Sequence, residues 1–224
     1  MKREITKRLL SSIIIIPISL FFIIKGSLFF TFFLSVLFLI TSLEWIKMNK
    51  KNNLTKYIGI PFLFFSIYTT FIFREKLELS YFLFVIVICI FTDLGGFFFG
   101  KVFKGPKLIK ISPNKTYVGV IGSFILSIAA GLIYDHYFGP IGLGYLFYMK
   151  EFGVEFHTSF LLLILSISLI SQIGDLTISY FKRMAKVKDT GKILPGHGGL
   201  LDRIDGIIFA LPFSYFFLSI VFFK

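Results

Sequence analysis

The sequence predicts an all-α polytopic membrane protein: a transmembrane helical bundle of about seven spans with its N-terminus in the cytoplasm. Three observations carry that reading. Of 224 residues 56% are hydrophobic and 19% aromatic, 32 of them Phe, while only 16% are charged and the mean hydropathy is +0.85; ordinary globular chains are about 25% charged. The apolar residues fall in runs near the roughly 20 residues that cross about 30 Å of hydrocarbon at 1.5 Å per residue. The net charge of +12 is distributed asymmetrically between those runs. A disordered chain, a collagen and a disulfide-stapled module are excluded, and the single cysteine, Cys89, argues against a cysteine zinc site.

Taken in order, the first run covers about 8 to 24, after a basic start from Lys2 to Arg8, and contains Pro17. No small-residue cleavage site follows it and a second run opens at Ser27, so it is expected to stay as a helix and not to leave as a signal peptide. Further runs cover about 27 to 43, 57 to 73, 80 to 100, 116 to 134, 158 to 178 and 205 to 223. The stretch from Tyr137 to Met149 is apolar but short and rich in Gly and Pro, which predicts an interfacial or re-entrant piece.

With the N-terminus inside, 19 of the 24 Lys and Arg residues fall on inside segments, including Lys47 to Lys56, Lys101 to Lys115 and Lys182 to Arg203. Only Lys25, Arg74, Lys76, Lys150 and Lys224 fall outside, which is the asymmetry that orients helices in a membrane. An additional span would invert the last basic loop. The longest polar stretch, Tyr180 to Asp205, is too short to fold alone. The chain is therefore expected to be a single integral membrane domain over 1–224. Its N-terminal helices lie within 1–75, and the helices carrying the chemistry lie within 80–223, with inside loops 101–115 and 180–205.

A carboxylate inside hydrocarbon costs at least about 2.5–3.5 kcal/mol, so each one is a functional hypothesis. Asp93 and Asp175 lie within or at the inner edge of apolar helices. Asp202 and Asp205 stand three apart in LLDRIDG, a spacing that places both on one face of a helix. Each has a plain alternative: Asp93 pairing with a neighbouring lysine, Asp202 capping the last helix with Asp205 in its first turn. Together, the acids converging on a basic surface match the oxygen ligands a hard divalent cation takes, with other positions left to water and phosphate.

Anion-binding parts surround them. The loop supplies Lys182, Arg183, Lys186, Lys188 and Lys192, then Gly196, Gly198 and Gly199, whose backbone can aim amide hydrogens at phosphate oxygens. Asp175, Ser179 and Lys182 or Arg183 recur about once per helical turn and would share a face. In ISPNKT, Ser112 and Pro113 read as N-cap and N1 of the fifth span, with Lys115 and Thr116 in a first turn whose dipole attracts anions. His197, between glycines, suits a ligand, a phosphate partner or a turn. His136 and His157 fall in the outside loop and are given no role. The lysines from Lys47 to Lys56 are expected only to set topology.

The run from Ser179 to Asp205 resembles the signature of the phosphatidate cytidylyltransferases, or CDP-diacylglycerol synthases. Its specified positions here are Ser179, Lys182, Arg183, Lys188, Asp189, His197, Gly198, Gly199, Asp202, Arg203 and Asp205. Upstream, Gly174-Asp175, ISPNKT and the Asp93 segment resemble family motifs in the same order, so the likeness extends over roughly 90 to 210. Three positions depart: Ile178 where a Glu is common, Val118 where Glu or Gln is common, and Phe97 in place of Tyr.

The resemblance implies CMP transfer from CTP to phosphatidate, giving CDP-diacylglycerol and pyrophosphate with Mg²⁺, at a cytoplasmic face of the cell membrane. Asp175, Asp202 and Asp205, with Asp93 as a further acid, would hold the metal. Lys182, Arg183, Lys188, Asp189 and Arg203 would join in catalysis, and Ser112, Lys115, Thr116, Ser179, His197, Gly198 and Gly199 would contact substrate. It also implies the lipid bilayer as partner, a homodimer, and no nucleic acid. A transporter is the rival class outside enzymes, but no paired inverted repeat is visible in the sequence. A CTP-dependent lipid kinase is the nearest rival within them.

Overall fold

The computed structural model describes residues 2–50, 53–109, 112–138, 156–194 and 198–222. Four helices open the chain: α1 (Lys2–Lys25), α2 (Ser27–Met48), α3 (Asn53–Lys76) and α4 (Leu79–Phe103). A hairpin follows, with β1 (Lys107–Ile109) antiparallel to β2 (Ser112–Thr116). The chain then forms α5 (Tyr117–Phe138), α6 (Phe156–Met184), the single turn α7 (Leu201–Ile204) and α8 (Ile207–Phe222). The class is helical as expected, with the small hairpin added.

Among the described residues five helices are long and apolar enough to cross a bilayer: α2, α3, α4, α5 and the Phe160–Met184 part of α6. The chain is a multi-pass membrane protein. Within the described residues, α1 contributes the apolar stretch Ile13–Lys25 and α8 the stretch Ile207–Ile220, at the places of the first and last expected spans. Residues 139–149 of the proposed re-entrant piece lie outside the described residues.

Hydrogen bonds at the helix ends show how the bundle alternates. At one end Arg74 Nε donates to the Ile23 carbonyl (2.9 Å), Ser27 N–H to Glu75 Oε1 (2.9 Å) and Tyr134 O–H to the Ser80 carbonyl (2.7 Å). At the other, Trp45 Nε1 donates to the Thr55 carbonyl (3.0 Å), and the Leu200 and Leu201 N–H groups bind Glu44 of α2. The α2–α3 turn, the hairpin and the loop after α6 therefore share one end, which gathers the three long basic loops.

Interior contacts are what a membrane bundle requires, since lipid offers no partner for a freed backbone group. Pro212 has no N–H to give the Ile208 carbonyl one turn earlier, and Ser66 Oγ from α3 donates to that carbonyl instead (2.6 Å). Thr92 Oγ1 donates to Ser168 Oγ (2.9 Å), and Ser123 Oγ to the Thr92 carbonyl (2.7 Å), tying α4, α5 and α6 together. Glycines let α4 and α5 meet backbone to backbone: a Cβ on Gly95 would lie 2.4 Å from the Gly122 oxygen. The main core joins Phe30, Phe73, Phe82, Phe84, Leu163 and Ile167, and a second cluster of Trp45, Leu63, Ile178, Leu201 and Ile208 lies under the loop end.

Candidate active site

The close approach of α4 and α5, with α6 beside them, leaves a cavity of about 240 Å³ at the loop end. Asp93, Lys115, Asp175 and Gln172 give its lining polar groups, and Phe97, Leu108, Val120 and Leu176 apolar ones. Lys115 reaches it from β2 and pairs with Asp175 of α6. Ser179, one turn further along α6, donates from Oγ to Asp175 Oδ1 (3.3 Å), so these two share a face as expected. Asp205 approaches from the α7–α8 turn. It is 8% exposed, accepts the Gly206 N–H at Oδ1 (3.0 Å), and interacts with the nearby Asp175 carboxyl. Arg203 is exposed and acts electrostatically on Asp93.

Asp202 sits in a second cluster. Lys182 Nζ donates to its Oδ1 (2.8 Å), while its Oδ2 accepts the Thr190 N–H (2.8 Å), the Gly199 N–H (3.0 Å) and the Thr190 hydroxyl (3.0 Å). Burial pushes the Asp202 carboxyl up, but the Lys182 ammonium and the two amide donors outweigh it and hold the group below the usual carboxylate range. Lys182 also attracts Asp205, so it belongs to both clusters. Gly198, at φ +89°, lets the chain turn where a Cβ would crowd Asp202 Oδ2 and Asp189.

Some expectations change. Asp202 and Asp205 stand three apart on helical backbone, Asp205 having φ −56° and ψ −37°, but their partners differ: Asp202 meets Lys182 and the loop amides, whereas Asp205 faces Asp175. Ser112 and Pro113 are not N-cap and N1, because Ser112–Thr116 pairs with β1 and the fifth long helix starts at Tyr117. Thr116 caps it instead, its Oγ1 accepting the Gly119 N–H (3.0 Å). Among the described residues no three His, Cys, Asp or Glu side chains are gathered as one metal site. Arg183, Lys188 and Asp189 are exposed, Arg183 donating to the Val187 carbonyl (3.2 Å). His197 lies outside the described residues.

Glu44 was given no role from the sequence. It is 2% exposed, and its carboxylate accepts the N–H groups of Leu200 (2.9 Å) and Leu201 (2.9 Å). Ending the second run at 43 placed Glu44 in a loop. Because α2 runs on to Met48, the cost argument that singled out Asp93 and Asp175 applies to Glu44 as well.

A multi-pass bundle with a cavity walled by acids and a lysine at one end defines a membrane protein built to handle charged groups at the bilayer edge. A model of the cytidylyltransferase family matches residues 55–221. The chain belongs to that family. It is 41% identical over 160 residues to a phosphatidate cytidylyltransferase of Staphylococcus epidermidis, covering 70% of this chain and 53% of that one. A protein of the same name from Staphylococcus aureus (strain COL) gives the same identity and coverage. One from Brucella suis is 40% identical over 130 residues, covering 58% of this chain and 43% of that one. The chain thus spans about half the length of the curated relatives it matches.

Proposed function

We propose that the protein is a phosphatidate cytidylyltransferase: it transfers CMP from CTP to phosphatidate, giving CDP-diacylglycerol and pyrophosphate. The observation that carries this is the cavity itself, whose lining combines Asp93, Lys115 and Asp175 with Phe97, Val120 and Leu176. A phosphorylated lipid presents both kinds of surface, an anionic head and an apolar body. The names of the relatives support the same substrates.

The chemistry needs little from the chain beyond positioning and charge. A phosphate monoester with a second pKa near 6 is largely dianionic at neutral pH, so no general base is required. A phosphatidate oxygen bonds to the α-phosphorus of CTP as the bond from that phosphorus to the bridging oxygen breaks, and pyrophosphate leaves with the electron pair. Lys115, Lys182 and Arg203 lower the repulsion between the two anions and stabilise the charge on the leaving group. Thr116 and Ser179 support the walls from which Lys115 and Asp175 project.

Asp175 and Asp205, carboxyls side by side with Asp93 nearby, fit Mg²⁺, which is usually bound through one or two carboxylates with substrate phosphates and water completing its shell. Asp202, already holding four donors, fits it less well. When bound there, the ion would neutralise phosphate charge. The basic loops at the site's end favour a cytoplasmic orientation.

The test is purified protein in mixed micelles with phosphatidate and CTP labelled in either cytidine or the γ-phosphate. Cytidine label entering the lipid, with one pyrophosphate released per lipid product, is the expected result. Transfer of only the γ-label would make the protein a lipid kinase.

A further inference from the structure

A deeply buried carboxylate with its own set of donors lies outside the cavity. Glu44 belongs to α2, upstream of the stretch matched by the family model. Its amide donors come from the segment that follows α6, Leu200 N–H to Oε1 and Leu201 N–H to Oε2, and the Thr190 hydroxyl, whose one proton is shared with Asp202, lies within 3.2 Å of Oε2. The chain wraps this carboxylate too closely for side chains. A Cβ on Gly191 would lie 2.4 Å from Glu44 Oε1, and one on Gly199 2.7 Å from Oε2.

Glu44 is linked to the site through two short routes. The Leu201 N–H opens α7, which carries Asp202, and a carboxylate there satisfies amide donors that have no partner within the helix. Thr190 stands between Glu44 and Asp202, its hydroxyl 3.2 Å from one carboxylate and 3.0 Å from the other. Asp202 in turn holds Lys182.

We infer that Glu44 is a positioning residue: it clamps Thr190, Leu200 and Leu201 onto α2 and so holds the Asp202–Lys182 pair in its working place beside the cavity. The role it serves rests on the proposed CMP transfer, but the clamp itself does not. A Gln at 44 keeps the size of the side chain and turns one acceptor into a donor facing the donors of the loop. A Val at 190 removes only the hydroxyl bridge.

The experiment compares wild type, Glu44→Gln and Thr190→Val as full chains in detergent, by steady-state kinetics and by trypsin cleavage after the exposed Lys188 and Lys192. Leaving a buried donor without its acceptor corresponds to a change of about tenfold. Glu44→Gln is expected to speed cleavage and to lower kcat by at least about that factor, with KM for CTP near the wild-type value. Thr190→Val is expected to shift both in the same direction and to add little in the double variant. Cleavage at the wild-type rate in Glu44→Gln overturns the clamp. Faster cleavage with unchanged kcat overturns its positioning role. If Glu44→Gln does not fold, Thr190→Val decides by the same two readouts. A wild-type protein that transfers no CMP refutes the proposed activity, while the cleavage rates still decide the clamp.

Discussion

Lys115 and Asp175 form an ion pair that ties the second strand of the hairpin to α6 across the mouth of the cavity. Their side chains remain 26% and 28% exposed, so water and anions reach the pair and its contribution to stability is small. Its importance lies in exchange. In the proposed reaction an arriving triphosphate would compete with Asp175 for the ammonium, and releasing Asp175 would free a carboxylate near Asp205.

Lys115→Ala is therefore expected to lower kcat/KM for CTP by about a hundredfold, the scale on which one aligned donor to developing charge counts. Lys115→Arg restores part of it. Initial-rate kinetics over a range of CTP concentrations check this, and a variant with wild-type kcat/KM would remove Lys115 from the site.

Asp202 gives a prediction with a definite sign in pH. Its folded carboxyl titrates below the ordinary carboxylate range, so its contribution to stability is present above that range and is lost as pH falls through the depressed value. The wild-type melting temperature should thus hold from pH 8 to about pH 5 and fall below about pH 4, near the ordinary carboxylate pKa. Asp202→Asn should melt lower at pH 7 and lose less on acidification. The pair it breaks is largely buried, with side chains 6% and 11% exposed, so the cost at pH 7 is on the order of 3 kcal/mol.

Which parts of this were legible in the sequence follows from what each kind of signal measures. Apolar runs located every long helix because hydrocarbon thickness acts on composition, and the basic loops gathered at one end as the charges required. The start of α5 was misplaced by four residues: Ser112 and Pro113 imitate a cap and first turn, whereas pairing of 112–116 with β1 decides the local structure. The spacing of Asp202 and Asp205 described the backbone, which stays helical through Asp205, but not the different partners that the loop and α6 bring to each acid. Glu44 was hidden by a boundary. The partners that define its role lie 146 to 157 residues away and leave no local pattern.

Packing between α4 and α5 depends on glycine at contact points where backbone meets backbone. Gly95→Ala would set a Cβ 2.4 Å from the Gly122 oxygen, where no flexible side chain can yield. Separation of the helices is expected to cost about 1–3 kcal/mol, as overpacking does elsewhere. A lowered melting temperature in detergent checks this. Because Gly96 and Gly119 line the cavity next to this contact, activity should fall further than stability alone explains.

Asp205 separates the two clusters by function. It stands beside Asp175, whereas Asp202 is held by Lys182 and the loop amides, so the two acids of the same signature should respond differently when each loses its charge. Asp205→Asn removes one of the paired carboxylates and is expected to raise the Mg²⁺ concentration for half-maximal rate by about tenfold or more, as loss of about 1.4 kcal/mol of ion binding requires. Asp202→Asn is expected to lower kcat with a nearly unchanged Mg²⁺ requirement, because it loosens the loop and leaves the pair in place. Rates measured across a Mg²⁺ titration for both variants decide between them. Equal shifts would return Asp202 to the metal-binding set, and an unshifted Asp205→Asn at near wild-type rate would remove Asp205 from it.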